Sequence, residues 1–78
     1  MKDKIEQILL SAGMDGEQIR EDDFIGKEIL DSIMMAEIII GLEDGFRIEI
    51  DAEDIVPDHF RNISAIIDLV NKYSVSGR

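Results

Sequence analysis

Apolar side chains recur at three- and four-residue spacing in three separate segments of this 78-residue chain, and no long stretch alternates apolar with polar residues. The recurring spacing is typical of one face of an α-helix, whereas alternation would indicate a β-strand. We therefore predict an all-α fold whose three major helices cover about residues 2–12, 32–46 and 62–73.

Residues at the ends of these segments support the predicted boundaries. Gly13 follows the first helix, at a position where glycine commonly ends a helix. Asp31 precedes the second helix, and Arg61 or Asn62 precedes the last one. Polar side chains at such positions cap the free backbone amides of a helix.

The segment between the first two helices, residues 14–31, is polar and acidic and carries the turn signal Asp15-Gly16. We predict a long loop that isolated apolar side chains hold against the core: Ile19, Phe24, Ile25, Ile29 and Leu30. A loop of this length in a small domain commonly carries a function or short helical turns of its own.

One further short helix is predicted near residues 52–55. Pro57 ends it, because proline lacks an amide hydrogen and disfavours helical geometry in the preceding residue. The brief alternation at residues 47–50 has no partner strand and is predicted to be an extended loop. The single predicted domain, residues 1–78, is thus a small four-helix bundle with three major helices, one short helix, a long first loop and a flexible tail at residues 74–78.

The composition limits the classes of function. The chain contains no cysteine, which excludes disulfides and fits a cytoplasmic protein. With 18 acidic and 8 basic residues, its formal net charge of −10 repels nucleic acids and anionic lipid head groups. No apolar run approaches the roughly 18 residues that cross a bilayer, and the first residues lead into a helix rather than a signal peptide. We expect a soluble monomer that binds neither nucleic acid nor membranes.

The acidic residues are concentrated in the middle of the chain. Nine acids lie between residues 31 and 58 beside a single base, Arg47: Asp31, Glu37, Glu43, Asp44, Glu49, Asp51, Glu53, Asp54 and Asp58. This region is expected to attract basic protein surfaces, although acids also simply keep small domains soluble. Because the acids repel one another, neutralising Glu53 and Asp54 together is predicted to stabilise the fold in low salt.

Ser32 begins the most apolar helix, directly after Asp31. If the Asp31 carboxylate caps the helix, the Ser32 hydroxyl stays exposed and available for modification; the alternative is that Ser32 is itself the cap. Catalysis by the serine is disfavoured, because the only histidine, His59, is distant in sequence and no orienting acid is apparent. Ser32 is therefore predicted to be a residue that another protein modifies.

The sequence contains no convincing metal site. Asp51, Glu53 and Asp54 lie close together, but this run lacks the alternating ligands, the glycine and the terminal glutamate of a calcium loop. We therefore expect no selective metal site and only weak, nonspecific stabilisation by divalent cations; the alternative is a divalent-ion binder that uses Asp51, Glu53 and Asp54.

A helical wheel at about 100° per residue separates the second helix into two faces. One arc carries the core stripe, formed by Met35, Ile38, Ile39, Leu42 and Phe46. The opposite arc carries Ile33, Glu37, Ile40 and Asp44, which suit docking against an apolar spot ringed by basic residues. Alternatively, the long loop covers Ile33 and Ile40.

The helix order and the Asp-Ser pair resemble the acyl carrier protein and peptidyl carrier (thiolation) family. The resemblance covers nearly the whole chain and rests on these segments: Ile29-Leu30-Asp31-Ser32-Ile33, Leu42-Glu43, Phe46, Ile48-Glu49-Ile50 and Ile63 to Val70. It implies that Ser32 carries 4′-phosphopantetheine, which a phosphopantetheinyl transferase attaches from coenzyme A, and that Asp31 belongs to the motif. It further implies a carrier rather than an enzyme, which acyl- or aminoacyl-loading enzymes recognise through basic docking surfaces.

Departures from the family pattern leave the cargo open. Ile33 stands where leucine is usual, Met34 stands where carriers of fatty-acid synthesis usually have aspartate, and the region between Ile50 and Ile63 is slightly longer. Acyl groups of lipid or polyketide biosynthesis fit the pattern, and so do aminoacyl groups such as those of D-alanyl and peptidyl carriers. The alternative of another class is a small acidic interaction module without a prosthetic group.

Overall fold

Helices joined by loops make up the computed structural model, which describes residues 1–76 and side chains through Tyr73. Its α-helices are α1 (Lys2–Ser11), α2 (Gly16–Ile19), α3 (Ser32–Phe46) and α4 (Ile63–Ser76). Two 3-10 turns, Ala52–Asp54 and Pro57–Phe60, lie between α3 and α4. No strand occurs within residues 1–76, including the alternating segment 47–50, so the prediction of an all-α fold is confirmed.

The three long helices bury the apolar stripes that their sequences predicted. Ile5 and Leu9 of α1, Ile38 and Leu42 of α3 and Ile66 of α4 all lie in one core. Other buried members of this core are Met14, Ile19, Phe24, Ile50, Phe60, Leu69 and Val70. Fully burying a side chain of this size contributes about 1.5–3 kcal/mol. Three of the five residues predicted for the core stripe of α3 lie less deep, because Met35, Ile39 and Phe46 are only partly buried.

The end of α1 follows from Gly13, which adopts a φ of 112° that favours glycine. The Gly13 amide donates to the Leu10 carbonyl, and the Met14 amide donates to the Leu9 carbonyl, each at 3.1 Å. This pattern is the Schellman motif, in which the chain reverses and satisfies the last carbonyls of a helix. It also directs Met14 into the core, where its side chain is 2 % exposed.

The predicted long loop contains a helical turn of its own, α2. Asp15 and Gln18 form a capping box, in which the Asp15 carboxylate accepts from the Gln18 amide at 2.8 Å and the Gln18 side chain accepts from the Asp15 amide at 3.0 Å. Ile19 and Phe24 hold this segment in the core, as predicted. Ile25 does not, because it follows the inward-facing Phe24 in a turn and remains 37 % exposed.

The short helix predicted at residues 52–55 is a 3-10 turn, Ala52–Asp54. Val56 is extended, with a φ of −129° and a ψ of 153°, as expected for a residue before proline. Pro57 then begins the second 3-10 turn, where its missing amide hydrogen costs nothing. Pro57 therefore separates two turns and starts the second, which buries Phe60 completely.

Asn62 caps α4 and ties it to the first loop. Its side-chain oxygen accepts from the Ala65 amide at 2.8 Å, and its side-chain nitrogen donates to the Asp22 carbonyl at 3.0 Å. The helix continues to Ser76, three residues beyond its predicted end at residue 73. Residues 77 and 78 of the predicted flexible tail lie outside the described residues.

Asp54 links the first 3-10 turn to α4. Its carboxylate accepts hydrogen bonds from the Tyr73 hydroxyl and from the Lys72 ammonium, the latter at 3.0 Å. The Tyr73 hydroxyl in turn accepts from the Asp51 amide at 2.9 Å. Tyr73 and, secondly, Lys72 hold the pKa of Asp54 below its usual value, and the bonded carboxylate raises the pKa of both partners. These contacts argue against the expectation that neutralising Glu53 and Asp54 together stabilises the fold, because the change at Asp54 also removes its bonds to Tyr73 and Lys72.

No helix within residues 1–76 is long and apolar enough to span a membrane. The longest described helix is α3, with 15 residues, whereas a spanning helix needs about 20.

The close approach of α1 and α3 depends on Gly41. A Cβ atom at position 41 would lie 2.7 Å from the Ile8 Cγ2 atom, whereas one at position 45 would meet its nearest neighbour, the Ile8 Cδ1 atom, at 3.4 Å. A side chain at position 41 would force Ile8 of α1 to shift, whereas position 45 accepts a methyl group.

We predict that alanine at position 45 gives a more stable protein than alanine at position 41. Both substitutions gain helix propensity, but only Gly41→Ala overpacks the helix contact, so Gly45→Ala should be the more stable variant by about 1–3 kcal/mol. Urea unfolding of the two variants measures this difference, and each serves as the control of the other. Equal stabilities would contradict the close packing of α1 on α3.

We also predict that Asp54→Asn lowers the melting temperature at neutral pH. Because the folded-state pKa of Asp54 is depressed, its contribution is fully present above the pKa of an unfolded aspartate, about 4, and is lost as the pH falls through the folded value. The difference in melting temperature from the unmodified chain should therefore shrink below about pH 4. Glu53→Gln, at the exposed neighbouring position, is the control and should not lower the melting temperature.

Candidate functional site

The candidate site is the start of α3, where Asp31 is the N-cap. The Asp31 backbone is extended, and its carboxylate accepts from the Met34 amide at 2.7 Å. The Asp31 carbonyl accepts from the Met35 amide at 2.9 Å and so makes the first bond of the helix. Because Asp31 is the cap, Ser32 is the first helical residue and its hydroxyl is not used for capping.

Ser32 is exposed and lies at the edge of a surface pocket of about 490 Å³. Leu30, Met35 and Ile39, all partly buried, line this pocket, together with Ile25, Ala36 and the carboxylate residue Asp31. Ser32, Met35, Ala36 and Ile39 are spaced by three, four and seven residues, which puts them on one side of the helix. The pocket thus pairs one exposed hydroxyl with a mainly aliphatic wall.

The predicted core stripe missed this pocket, because Met35 and Ile39 were both assigned to the interior. The spacing that relates them to Ser32 was a usable signal, since residues at i, i+3 and i+7 share a helix side. The sequence did not predict the exposure of Ile25, because this exposure depends on the turn that places the neighbouring Phe24 in the core.

The four predicted docking residues form an exposed stripe along α3. Ile33 is 75 % exposed and Ile40 is 62 % exposed, so the long loop does not cover them. Glu37 lies between the two isoleucines along the helix, Asp44 lies beyond Ile40, and both are exposed. We call Ile33, Glu37, Ile40 and Asp44 the α3 stripe. Exposed isoleucines of this degree, flanked by carboxylates, are typical of a protein contact surface.

The carboxylates of the α3 stripe are electrostatically available. Among the described residues, ion pairs join Lys27 to Glu21 at 2.9 Å, Arg61 to Asp58 at 2.7 Å and Lys72 to Asp54 at 3.0 Å. None of these pairs involves Glu37 or Asp44. Their negative charge therefore faces solvent and acts on approaching molecules.

The other residues considered from the sequence have structural contacts of their own. The Nδ1 atom of His59 lies 2.8 Å from the Asp54 carbonyl oxygen, and its described contacts do not include Ser32. Asp54 is bonded to Tyr73 and Lys72 and is not aligned with Asp51 and Glu53. Within the described part of the chain, no group of three or more His, Cys, Asp or Glu residues could hold a metal ion.

Comparisons of this chain with models of protein families, with curated proteins and with solved structures found no match.

Proposed function

We propose that this chain is a carrier protein that holds acyl or aminoacyl groups on a 4′-phosphopantetheine arm attached to Ser32. The observation that carries the proposal is the separation of roles at the start of α3: Asp31 supplies the cap, and the adjacent Ser32 hydroxyl is left exposed. The sequence resemblance to acyl and peptidyl carrier proteins supports the same residue. The arm supplies a thiol that stores the cargo as a thioester.

The surroundings of Ser32 fit a phosphodiester. The positive end of a helix dipole and its unpaired amides favour an anion, and the first turn of α3 contains no acidic residue that would oppose one. The Asp31 carboxylate is engaged by the Met34 amide. Ser32 would therefore hold the group covalently while the first amides of α3 stabilise its charge.

The pocket beside Ser32 supports an apolar cargo. Its aliphatic wall of Leu30, Met35 and Ile39 offers contacts to a hydrocarbon chain, and burying each methylene group contributes about 0.8 kcal/mol. An aminoacyl cargo also carries a charged ammonium group, for which the Asp31 carboxylate in the same lining is a partner. The aliphatic wall therefore suits acyl groups of lipid or polyketide biosynthesis, and aminoacyl groups fit the lining through Asp31.

The α3 stripe supports recognition by enzymes with basic surfaces. Unpaired Glu37 and Asp44 would attract a basic rim, and Ile33 and Ile40 would be covered by apolar side chains. The partners of this proposal are a phosphopantetheinyl transferase and the enzymes that load and transfer the cargo. The chain itself serves them as a substrate and is not an enzyme, and its lack of cysteine supports a cytoplasmic location for the carrier.

We expect a phosphopantetheinyl transferase of broad specificity to add one phosphopantetheine group from coenzyme A to this chain. Mass spectrometry of the intact protein and of its peptides would place the group on Ser32. Ser32→Ala should abolish the modification. A chain that several transferases leave unmodified, or modify at another serine, would instead support the acidic interaction module.

The control for this experiment is the fold of the variant. Ser32→Ala keeps the Asp31 cap and should therefore leave the helical circular dichroism and the melting temperature nearly unchanged. Asp31→Ala removes the cap and should cost about 1 kcal/mol in unfolding free energy. A larger loss for Ser32→Ala than for Asp31→Ala would show that Ser32 is itself the structural cap.

We further expect that Glu37→Lys with Asp44→Lys slows loading by the transferase and weakens its dependence on salt. The two substituted positions no longer attract the basic rim of the transferase, so salt has a smaller electrostatic attraction to screen. Initial rates at several ionic strengths measure the effect. Glu49→Lys with Glu53→Lys, at two exposed positions outside the α3 stripe, is the control, because it changes the net charge by the same amount. Unchanged rates at low ionic strength would make the acids a solubility feature only.

A further inference from the structure

A surface groove of about 410 Å³ runs between α1 and α3, on the side of α3 away from the pocket at Ser32. The partly buried Ile8 and Ala12 of α1 line its inner part, and Gly41 of α3 contributes no side chain there. The exposed Gln7 and Ser11 of α1 line its rim. The groove therefore combines an apolar interior with a polar edge.

The other rim of the groove carries the two carboxylates of the α3 stripe, Glu37 and Asp44. Lys4, a cation that lines the groove, donates to the Gly45 carbonyl at 2.8 Å and lies 5.1 Å from the centre of the Phe46 ring. Within the described residues, no ion pair joins Lys4 to Glu37 or Asp44. The rim thus presents two carboxylates without a direct ion pair among the described residues, and the ammonium group of Lys4 is bonded to a backbone carbonyl and lies near an aromatic ring.

We propose that this groove receives an arginine side chain of the partner enzymes, which makes α1 part of the docking surface. An arginine has an aliphatic stem that lies along apolar surface and a planar guanidinium with five donors. The stem would lie over Ile8 and Gly41, while the guanidinium would reach the carboxylates of α3 and the oxygen atoms of Gln7 and Ser11. This proposal rests on the proposed function, because it names how the same partners hold the carrier.

The chemistry of the groove favours arginine over lysine. A guanidinium can bond one carboxylate through two parallel donors and still donate to neutral acceptors, and it is more weakly hydrated than a compact ammonium group. Glu37 and Asp44 are seven residues apart, about 10 Å along the helix axis, so one cationic group contacts only one of them closely at a time. A planar guanidinium can bond one carboxylate of α3 and, at the same time, the side-chain oxygen atoms of Gln7 and Ser11 on α1.

Ser11→Arg tests the groove by filling it from within the chain. The new side chain would pair with the carboxylates of α3 and exclude the partner's arginine. Asn71→Arg is the matched control, because Asn71 is exposed on α4, away from the groove, and the substitution adds the same charge. With a phosphopantetheinyl transferase and coenzyme A, we expect Ser11→Arg to raise KM for the carrier about two- to fivefold over Asn71→Arg, a ratio typical of losing a partly exposed ion pair.

A titration that needs no modified serine keeps the groove testable if Ser32 is not a carrier site. Short capped peptides that differ only in one arginine or lysine are added to the labelled chain, and amide shifts are followed by NMR. The arginine peptide should shift the amides of Gln7, Ser11 and Gly41 more than the lysine peptide does. Glu37→Gln should reduce these shifts without filling the groove, which covers the case in which Ser11→Arg does not fold.

The outcomes separate the two proposals. An unmodified wild-type chain overturns the carrier function, whereas modification with equal KM values for Ser11→Arg and Asn71→Arg overturns the groove. Equal shifts with the two peptides, or shifts spread over the acids of residues 49–54, also overturn it.

Discussion

The hydrogen bond from the Met34 amide to the Asp31 carboxylate fixes where α3 begins, and the orientation of every side chain on that helix follows from this start. With the helix beginning at Ser32, Ile38 and Leu42 point into the core, and Ile33 and Ile40 point to solvent. A start shifted by one residue would rotate these sets by about 100° if the core contacts did not hold them. The cap and the core stripe therefore specify the same rotation of α3 about its axis. Such agreement between a local signal and the overall packing is expected of a sequence that folds well.

Long, regular helices were predictable, and features that depend on distant partners were not. The bounds of α3 and the glycine that ends α1 follow from signals within a few residues: a cap, a period and a C-terminal glycine. The turn of α2 also had a local signal, since Asp15 and Gln18 have the spacing of a capping box. The link of Asp54 to Tyr73 joins residues 19 apart across two elements, and nothing in the local sequence marks it. For the candidate site, the exposure of Ser32 and the α3 stripe follow from the helix period, whereas the pocket and the groove require the packing of neighbouring elements.

The surplus of acidic residues has a structural component as well as an electrostatic one. Asp15, Asp23 and Asp31 accept from backbone amides three residues ahead, at 2.7–2.8 Å, and Glu43 accepts from the Ile50 amide at 3.0 Å. Such charge-assisted bonds satisfy amides at turns and helix starts, where backbone partners are missing. The repulsion predicted from the count of acids is thus offset at these four residues. On α3, Glu43 makes such a bond, whereas the exposed Glu37 and Asp44 have no hydrogen bond or ion pair among the described contacts.

The helical period of α3 places the pocket beside Ser32 and the groove beside Gly41 on opposite sides of the helix. Ser32 and Gly41 are nine residues, or about two and a half turns, apart, so they lie on opposite sides of the helix axis. The pocket beside Ser32 and the groove beside Gly41 consequently have no lining residue in common, and the α3 stripe borders the groove through Glu37 and Asp44. A partner that contacts the groove and the stripe would leave the Ser32 side exposed. Under the proposed function, enzymes that act on different cargoes could therefore recognise the chain in the same way, because the groove is separate from Ser32.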